Sequence, residues 1–206
     1  MGEDYVRYQS SQPQIPCTFL YPADWKVREI VEDGYVEIFI AGPRNKAGTY
    51  SISFSVGVTR PADQTPTEAA TSLLAKFRSP YSSEELGPIS TTVAGRSATA
   101  MEVVYSMPLP LNSIQPEWTS IREHRIFFQR GDQLYELDYS APEEDYKNWL
   151  EAFHTLVESF AFPEKPADAA PYPSVETTAP QHVREEPAEY EAKESQGDGE
   201  SEHHQR

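Results

Sequence analysis

An apolar stripe near the end of the chain constrains the fold more than any other feature of the sequence. Its large residues recur at intervals of three and four, the spacing that places side chains on one face of a helix: Tyr146, Trp149, Leu150, Phe153, Leu156, Val157 and Phe160. Ser140-Ala141-Pro142-Glu143 predicts a capping box at the start of this helix. Acidic residues at 143–145 occupy its first turn, where the helix dipole favours negative charge. A stripe this wide has to lie on a hydrophobic surface, and only a β-sheet is large enough to supply one.

Alternating patterns upstream predict that sheet. Large apolar residues alternate with serine and glycine over 50–58, which is typical of a strand with one buried face. Similar patterns predict strands at about 26–31, 36–40, 89–94, 97–105, 119–130 and 133–139. Asp33-Gly34 indicates a tight hairpin turn. A first helix is predicted after Thr65, because Thr65 and Glu68 form a capping box and Pro66 suits the first helical position. The fold class is therefore α+β, an antiparallel sheet covered by two main helices.

The chain divides into three predicted regions. Residues 1–15 are rich in Ser, Gln and Pro and are predicted to be a flexible leader, and residues 16–162 form the folded domain. Residues 163–206 carry 11 acidic and 4 basic side chains, six prolines and almost no branched aliphatic residues. Such a composition buries too little apolar surface to offset chain entropy, so a disordered acidic, Pro-rich tail is predicted. The tail is either a solubilising extension or a docking segment for a basic partner.

Charge and composition exclude several classes of function. With 17 Lys and Arg against 33 Asp and Glu, the net charge is −16, so no nucleic-acid partner is expected. No stretch is apolar and long enough for a transmembrane segment. The N-terminus lacks the pattern of a secretory signal, so a cytoplasmic location is expected by default, and an extracytoplasmic one if a leader has been removed. The single Cys17 excludes an intramolecular disulfide framework.

Three passages of the sequence resemble the PsbP superfamily. The first runs from Phe19 to Trp25 and contains Tyr-Pro-x-x-Trp, and the second is Ala94-Gly95-Arg96-Ser97-Ala98 before a strand. The third comprises the strand at 133–137, Ser140-Ala141-Pro142-Glu143 and the ending Glu158-Ser159-Phe160-Ala161-Phe162. The resemblance covers about residues 16–162, and it implies a PsbP-like α/β/α sandwich.

The resemblance also carries expectations about function. The superfamily consists of non-enzymatic proteins, among them DcrB-like lipoproteins, adaptor chaperones, a Ran-binding relative and an extrinsic subunit of photosystem II that supports calcium and chloride retention. The expected function is that of a protein-binding or assembly-factor domain. The alternative is a divalent-cation-binding extrinsic subunit of a membrane complex. Residues 1–162 contain 22 acidic and 13 basic side chains, and this excess of negative charge counts against docking to photosystem II through cationic residues.

Candidate catalytic and metal-binding residues are few. The sequence lacks a nucleophile elbow, a phosphate loop and a zinc-protease motif, so we expect neither an enzyme nor a tightly held cofactor. His124, with Glu143 and Asp145, is a weak candidate for a divalent cation such as calcium. The alternative is that His124 is a cross-strand polar residue and that the two acids only complement the helix dipole.

A proline-broken apolar segment at 107–118 is the preferred candidate for partner binding. It is predicted to be a long irregular loop, and its candidate contact residues are Leu109, Leu111, Ile114 and Trp118. Loops held on a rigid sheet often bind partner molecules, and an exposed apolar patch often marks an interaction site. The alternative is that these side chains fold back over one end of the sheet.

Overall fold

A computed structural model describes residues 4–77 and 82–163, which form nine strands and two helices. The strands are β1 (Tyr5–Gln9), β2 (Thr18–Pro22), β3 (Lys26–Glu32), β4 (Tyr35–Arg44), β5 (Ser51–Thr59), β6 (Ser82–Val93), β7 (Arg96–Leu109), β8 (Glu117–Arg130) and β9 (Gln133–Pro142). The helices are α1 (Pro66–Phe77) and α2 (Glu143–Ser159).

Seven of the strands form one antiparallel sheet in the order β3-β4-β5-β9-β8-β7-β6, and β1 and β2 form a separate hairpin. Consecutive strands are neighbours except at β5, which pairs with β9, so the chain leaves the sheet through α1 and returns at the opposite edge. The two helices cover opposite faces of the sheet. The predicted α+β sandwich is confirmed.

The face under α2 contains the larger core. Phe153 and Leu156 of α2 are fully buried, and they lie among apolar residues of β4, β5, β8 and β9. The ring centroids of Phe153 and Phe54 are 5.5 Å apart, and those of Phe153 and Tyr139 are also 5.5 Å apart. These distances are typical of aromatic pairs that interact beyond simple burial. The periodic stripe of α2 therefore closes one side of the sheet, as its spacing predicts.

Trp25, from the Tyr-Pro-x-x-Trp passage, closes one end of this core. Its ring centroid lies 4.5 Å from that of Phe54 and 5.1 Å from that of Trp149. A Cβ atom at Gly42 would lie 2.5 Å from the Trp25 ring, a distance that no real Cβ contact shows. Glycine at this position of β4 thus makes room for the tryptophan.

A smaller core lies under α1 on the opposite face. Ala70 and Leu74 of α1 are buried against Met101, Val103 and Phe127. The predicted capping box is present at the start of the helix. The backbone N–H of Thr65 donates to Glu68 Oε2 at 2.8 Å, and the backbone N–H of Glu68 donates to Thr65 Oγ1 at 3.3 Å.

The segment at 1–15 was predicted to be a flexible leader, and that prediction is wrong from Asp4 onward. Strand β1 pairs with β2, and the Tyr8 ring stacks on Phe19 with centroids 5.0 Å apart. Glu29 accepts hydrogen bonds from the Tyr8 hydroxyl and from Ser11 Oγ, the latter at 2.7 Å. Burial raises the pKa of Glu29, but the hydrogen bonds outweigh it and lower the pKa to about 2. Contacts distant in sequence therefore order the leader.

The start of α2 differs from the prediction. Ser140 does not cap the helix, because it is a buried residue of β9 whose hydroxyl lies 2.7 Å from the hydroxyl of Tyr50. Pro142 occupies the N-cap position, and no side chain caps the helix there. Strand β9 thus runs directly into α2.

The acidic tail predicted at 163–206 lies outside the described residues beyond Pro163. Within the part of the chain that the structure describes, neither helix combines the length and apolarity that crossing a membrane requires.

Replacement of Ile15 tests whether the leader belongs to the folded domain. Ile15 is 0% exposed, so Ile15→Ala is expected to lower the free energy of unfolding by about 2–4 kcal/mol, the usual cost of removing buried methyl groups. The measurement is urea denaturation of both proteins. Val6→Ala, which shortens an exposed side chain of β1, is the matched control and is expected to change stability by less than about 0.5 kcal/mol. Equal stability of the Ile15→Ala protein and the unchanged protein would contradict the ordered leader.

Candidate functional site

The β7–β8 hairpin is longer and more regular than the sequence predicts. Its strands pair continuously from Ala98 and Phe128 to Leu109 and Glu117, so the irregular loop shrinks from 107–118 to 110–116. Both strands continue through residues predicted to be irregular, and Pro108 lies opposite Trp118. We call residues 110–118 the hairpin tip. It is carried at the end of two 14-residue strands.

Three of the four predicted contact residues are exposed at the hairpin tip. Ile114 is 100% exposed, Leu111 is 68% exposed and Trp118 is 60% exposed. Leu109 is only 4% exposed, so its prediction as a contact residue is wrong. Leu109 is the last residue of β7, and it lines a small cavity with Ala47 and Thr49 of the β4–β5 loop. The tip therefore has a buried base and an apolar end that faces solvent.

His124 lies in β8 on the face covered by α2. Its ring centroid is 5.3 Å from that of Phe153, and its Nδ1 atom is 3.6 Å from Glu102 Oε1, too far for a hydrogen bond. Burial lowers the pKa of His124. The negative charge of Glu102 raises this pKa, but by less than burial lowers it. Its cross-strand partners are Glu102 and Tyr139. This placement agrees with the alternative interpretation, in which His124 is a cross-strand polar residue.

Glu143 is held by an arginine rather than by His124. Arg122 donates to Glu143 Oε2 at 2.9 Å, to Glu102 Oε2 at 3.0 Å and to Glu84 Oε2 at 2.8 Å. These bonds join β6, β7, β8 and α2 through a single guanidinium. The fork of donors in arginine suits such multiple contacts with carboxylates.

The three predicted metal candidates are not assembled into one site. Asp145 lies in the first turn of α2, and its Oδ2 atom is buried without a hydrogen-bond partner. Across residues 4–77 and 82–163, no group of three His, Cys, Asp or Glu side chains is placed to hold a metal ion. The Glu102 carboxylate lies beside His124, whereas Glu143 is paired with Arg122, which also binds Glu102.

A charged cluster on the opposite face was missed by the sequence reasoning. Arg125 donates to Glu123 Oε2 at 2.8 Å and to Glu136, and its Nε atom lies 3.5 Å from Asp138 Oδ1. Burial raises the pKa of Asp138 well above its ordinary value; Arg125 lowers it, while Glu123 and Glu136 raise it further. The signal in the sequence was two pairs of charged residues spaced two apart, at 123 and 125 in β8 and at 136 and 138 in β9, a spacing that puts each pair on one face of its strand.

Comparison with known proteins gives a likeness of fold. No protein-family model matches the chain, and no curated protein matches it. A solved structure of LpqN from Mycobacterium tuberculosis, described as involved in cell envelope biogenesis, matches with a TM-score of 0.50 and 13% sequence identity. The match covers 77% of this chain and 90% of LpqN.

Two further solved structures extend the comparison. Cyanobacterial PsbP from Synechocystis sp. PCC 6803 is 15% identical, with a TM-score of 0.47 and coverage of 79% of this chain and 94% of that chain. The Ran-binding protein Mog1p of Saccharomyces cerevisiae is 9% identical, with a TM-score of 0.49 and coverage of 78% and 96%. The match to LpqN is a likeness of fold at low sequence identity, and a shared fold does not determine function.

The pH dependence of stability tests the charged cluster. Because the pKa of Asp138 is raised in the folded state, the folded protein favours the protonated carboxyl group. The protonated form contributes its full stabilisation below the ordinary pKa of aspartate, and this stabilisation is lost as pH rises through the raised pKa. Asparagine stays neutral at every pH. The free energy of unfolding of Asp138→Asn, measured by urea denaturation, is therefore expected to exceed that of the unchanged protein increasingly from pH 4 to pH 8.

The matched control for this experiment is Asp132→Asn, which removes one negative charge from an exposed ion pair with Arg60. A difference between Asp138→Asn and the unchanged protein that stays constant or shrinks as pH rises would contradict the assignment.

Proposed function

We propose that the chain is a non-enzymatic protein-binding or assembly-factor domain whose contact surface is the hairpin tip. The observation that carries the proposal is the exposure of Leu111, Ile114 and Trp118 at the end of a long, regular hairpin. Large apolar side chains clustered in contact with water are typical of interaction sites. Tryptophan is also among the residues that most often dominate binding energy in protein interfaces.

The way in which the hairpin is held supports the same proposal. The β7–β8 hairpin is flanked by β6 and β9 as far as Tyr105 and Ile121, and beyond them it continues as a two-stranded ribbon to Leu109 and Glu117. Buried Leu109 anchors this ribbon below the tip. A surface on a regular hydrogen-bonded hairpin loses less conformational freedom on binding than an irregular loop, so more of the contact energy remains as affinity. The partner is expected to be a protein, because the net charge of −16 disfavours nucleic acid.

Capture of partner proteins tests the hairpin tip. The chain carrying Leu111→Asp and Ile114→Asp is expected to retain at least about tenfold less of a specific partner than the unchanged chain, since apolar anchors are replaced by charge. The measurement is quantitative mass spectrometry of proteins retained from a native lysate of the source cells. Val31→Asp, at an exposed apolar position of the edge strand β3, is the matched control.

The control is expected to retain the same partner as the unchanged chain, and all variants are first compared for thermal stability. A partner retained equally by the double variant would remove the hairpin tip from the proposal. A partner lost equally with Val31→Asp would indicate a nonspecific effect of added charge.

Divalent-cation binding remains the alternative proposal. Its support is that both His124 Nδ1 and Asp145 Oδ2 are buried without a hydrogen-bond partner. Titration calorimetry with calcium, manganese and zinc tests it on the full chain and on residues 1–163. The protein-binding proposal predicts no heat of binding from residues 1–163 at millimolar ion. Saturable binding that His124→Ala abolishes would instead favour the cation-binding subunit.

A further inference from the structure

A cavity of about 500 Å³ opens between the edge strand β6, the neighbouring strands β7 and β8, and the second half of α2. It lies on the face covered by α2, away from the hairpin tip. Ile89, Ile126 and Val157 line its apolar part. The volume falls in the range of pockets that hold small organic ligands, about 300–1,000 Å³.

The charged side chains that line the cavity are carboxylates. Glu102 and Glu158 contribute two negative charges, and no Lys or Arg belongs to the described lining. Arg122 binds Glu102 from outside the lining, but the same guanidinium is shared with Glu84 and Glu143. The cavity therefore carries an excess of negative charge, and it favours a cation over an anion of equal size.

One polar atom of a residue that lines the cavity lacks a hydrogen-bond partner. His124 Nδ1 is buried and makes no hydrogen bond, and Glu102 Oε1 lies 3.6 Å from it. Burial lowers the pKa of His124, which favours the neutral imidazole next to this carboxylate. His154 is the second histidine of the lining, and it is partly exposed near the mouth. A ligand group with several N–H donors would donate to the Glu102 carboxylate, whose Oε2 atom already accepts a hydrogen bond from Arg122.

From this arrangement we propose that the cavity binds a small organic ammonium ion with an apolar body. The ammonium group lies against Glu102 beside His124, and the apolar body rests on Ile89, Ile126 and Val157. The chemistry of the lining matches the two ends of such a molecule, since carboxylates recognise the cation and branched aliphatic side chains cover the hydrocarbon. The proposal concerns a site separate from the hairpin tip and does not depend on protein binding.

Nuclear magnetic resonance titration of the full chain tests the proposal, with hexylammonium as the probe. Saturable shifts are expected for the backbone amides of Ile89, His124 and Val157. Hexanoate and hexan-1-ol have the same apolar chain with a negative and a neutral head, and each is expected to bind at least about tenfold more weakly. Equal affinity for hexan-1-ol would overturn the role of the carboxylates, and so would equal affinity for hexanoate.

A pair of variants at neighbouring carboxylates makes the test specific. Glu102→Gln keeps an acceptor for Arg122 but removes the charge from the cavity, so hexylammonium is expected to bind at least about fivefold more weakly. Glu84→Gln removes a charge from the same arginine but lies outside this cavity, and it is expected to bind hexylammonium as the unchanged chain does. Spectra of both variants without ligand verify the fold.

Three results would overturn the proposal. The first is an absence of saturable shifts at these amides with millimolar hexylammonium. The second is an equal loss of binding in both variants, which would place the effect in the Arg122 network. The third is zinc alone shifting the same amides and excluding hexylammonium, which would make the site one for a metal ion.

Discussion

The contact between the aromatic stripe of α2 and the sheet is the constraint on which the rest of the structure depends. Phe153 is fully buried between Phe54 and Tyr139, and Phe160 stacks parallel to Phe19 of β2 with ring centroids 6.4 Å apart. The helix thus covers one face of the sheet and also holds the β1–β2 hairpin beside it. Burial of each large side chain contributes about 1.5–3 kcal/mol, so the several buried residues of the stripe together contribute substantially to the stability of that face.

Short-range periodicity explains why much of this fold could be predicted. The stripe of α2, the alternation in β5 and the capping box of α1 all depend on residues close together in sequence. The leader could not be predicted in this way. Its Ser, Gln and Pro residues are typical of the turn around 10–14. The leader is ordered by hydrogen bonds to Glu29 and by ring stacking on Phe19, and both residues are distant from it in sequence. Local composition does not report such contacts.

Which side chains meet or are exposed at the candidate sites depends on the pairing register between strands. The sequence alone does not give this register, so it indicated only some of the site residues. The exposure of Ile114 and Leu111 was predicted from an apolar segment broken by proline. The burial of Leu109 was not, because it requires knowing that β7 continues to that residue. In the same way, pairing of Glu102 with His124 across β7 and β8 places a carboxylate beside the imidazole, which residue spacing alone does not reveal.

The core under α2 and the hairpin tip therefore have different roles. Aromatic burial under α2 provides the scaffold, and the β7–β8 hairpin carries the tip that we propose as the partner-binding surface. Hydrogen–deuterium exchange of the full chain, alone and with a purified captured partner, tests that claim most directly. Binding is expected to slow exchange at 110–118 and to leave exchange in the edge strand β3 unchanged. Protection of β3 with no change at the hairpin tip would contradict it.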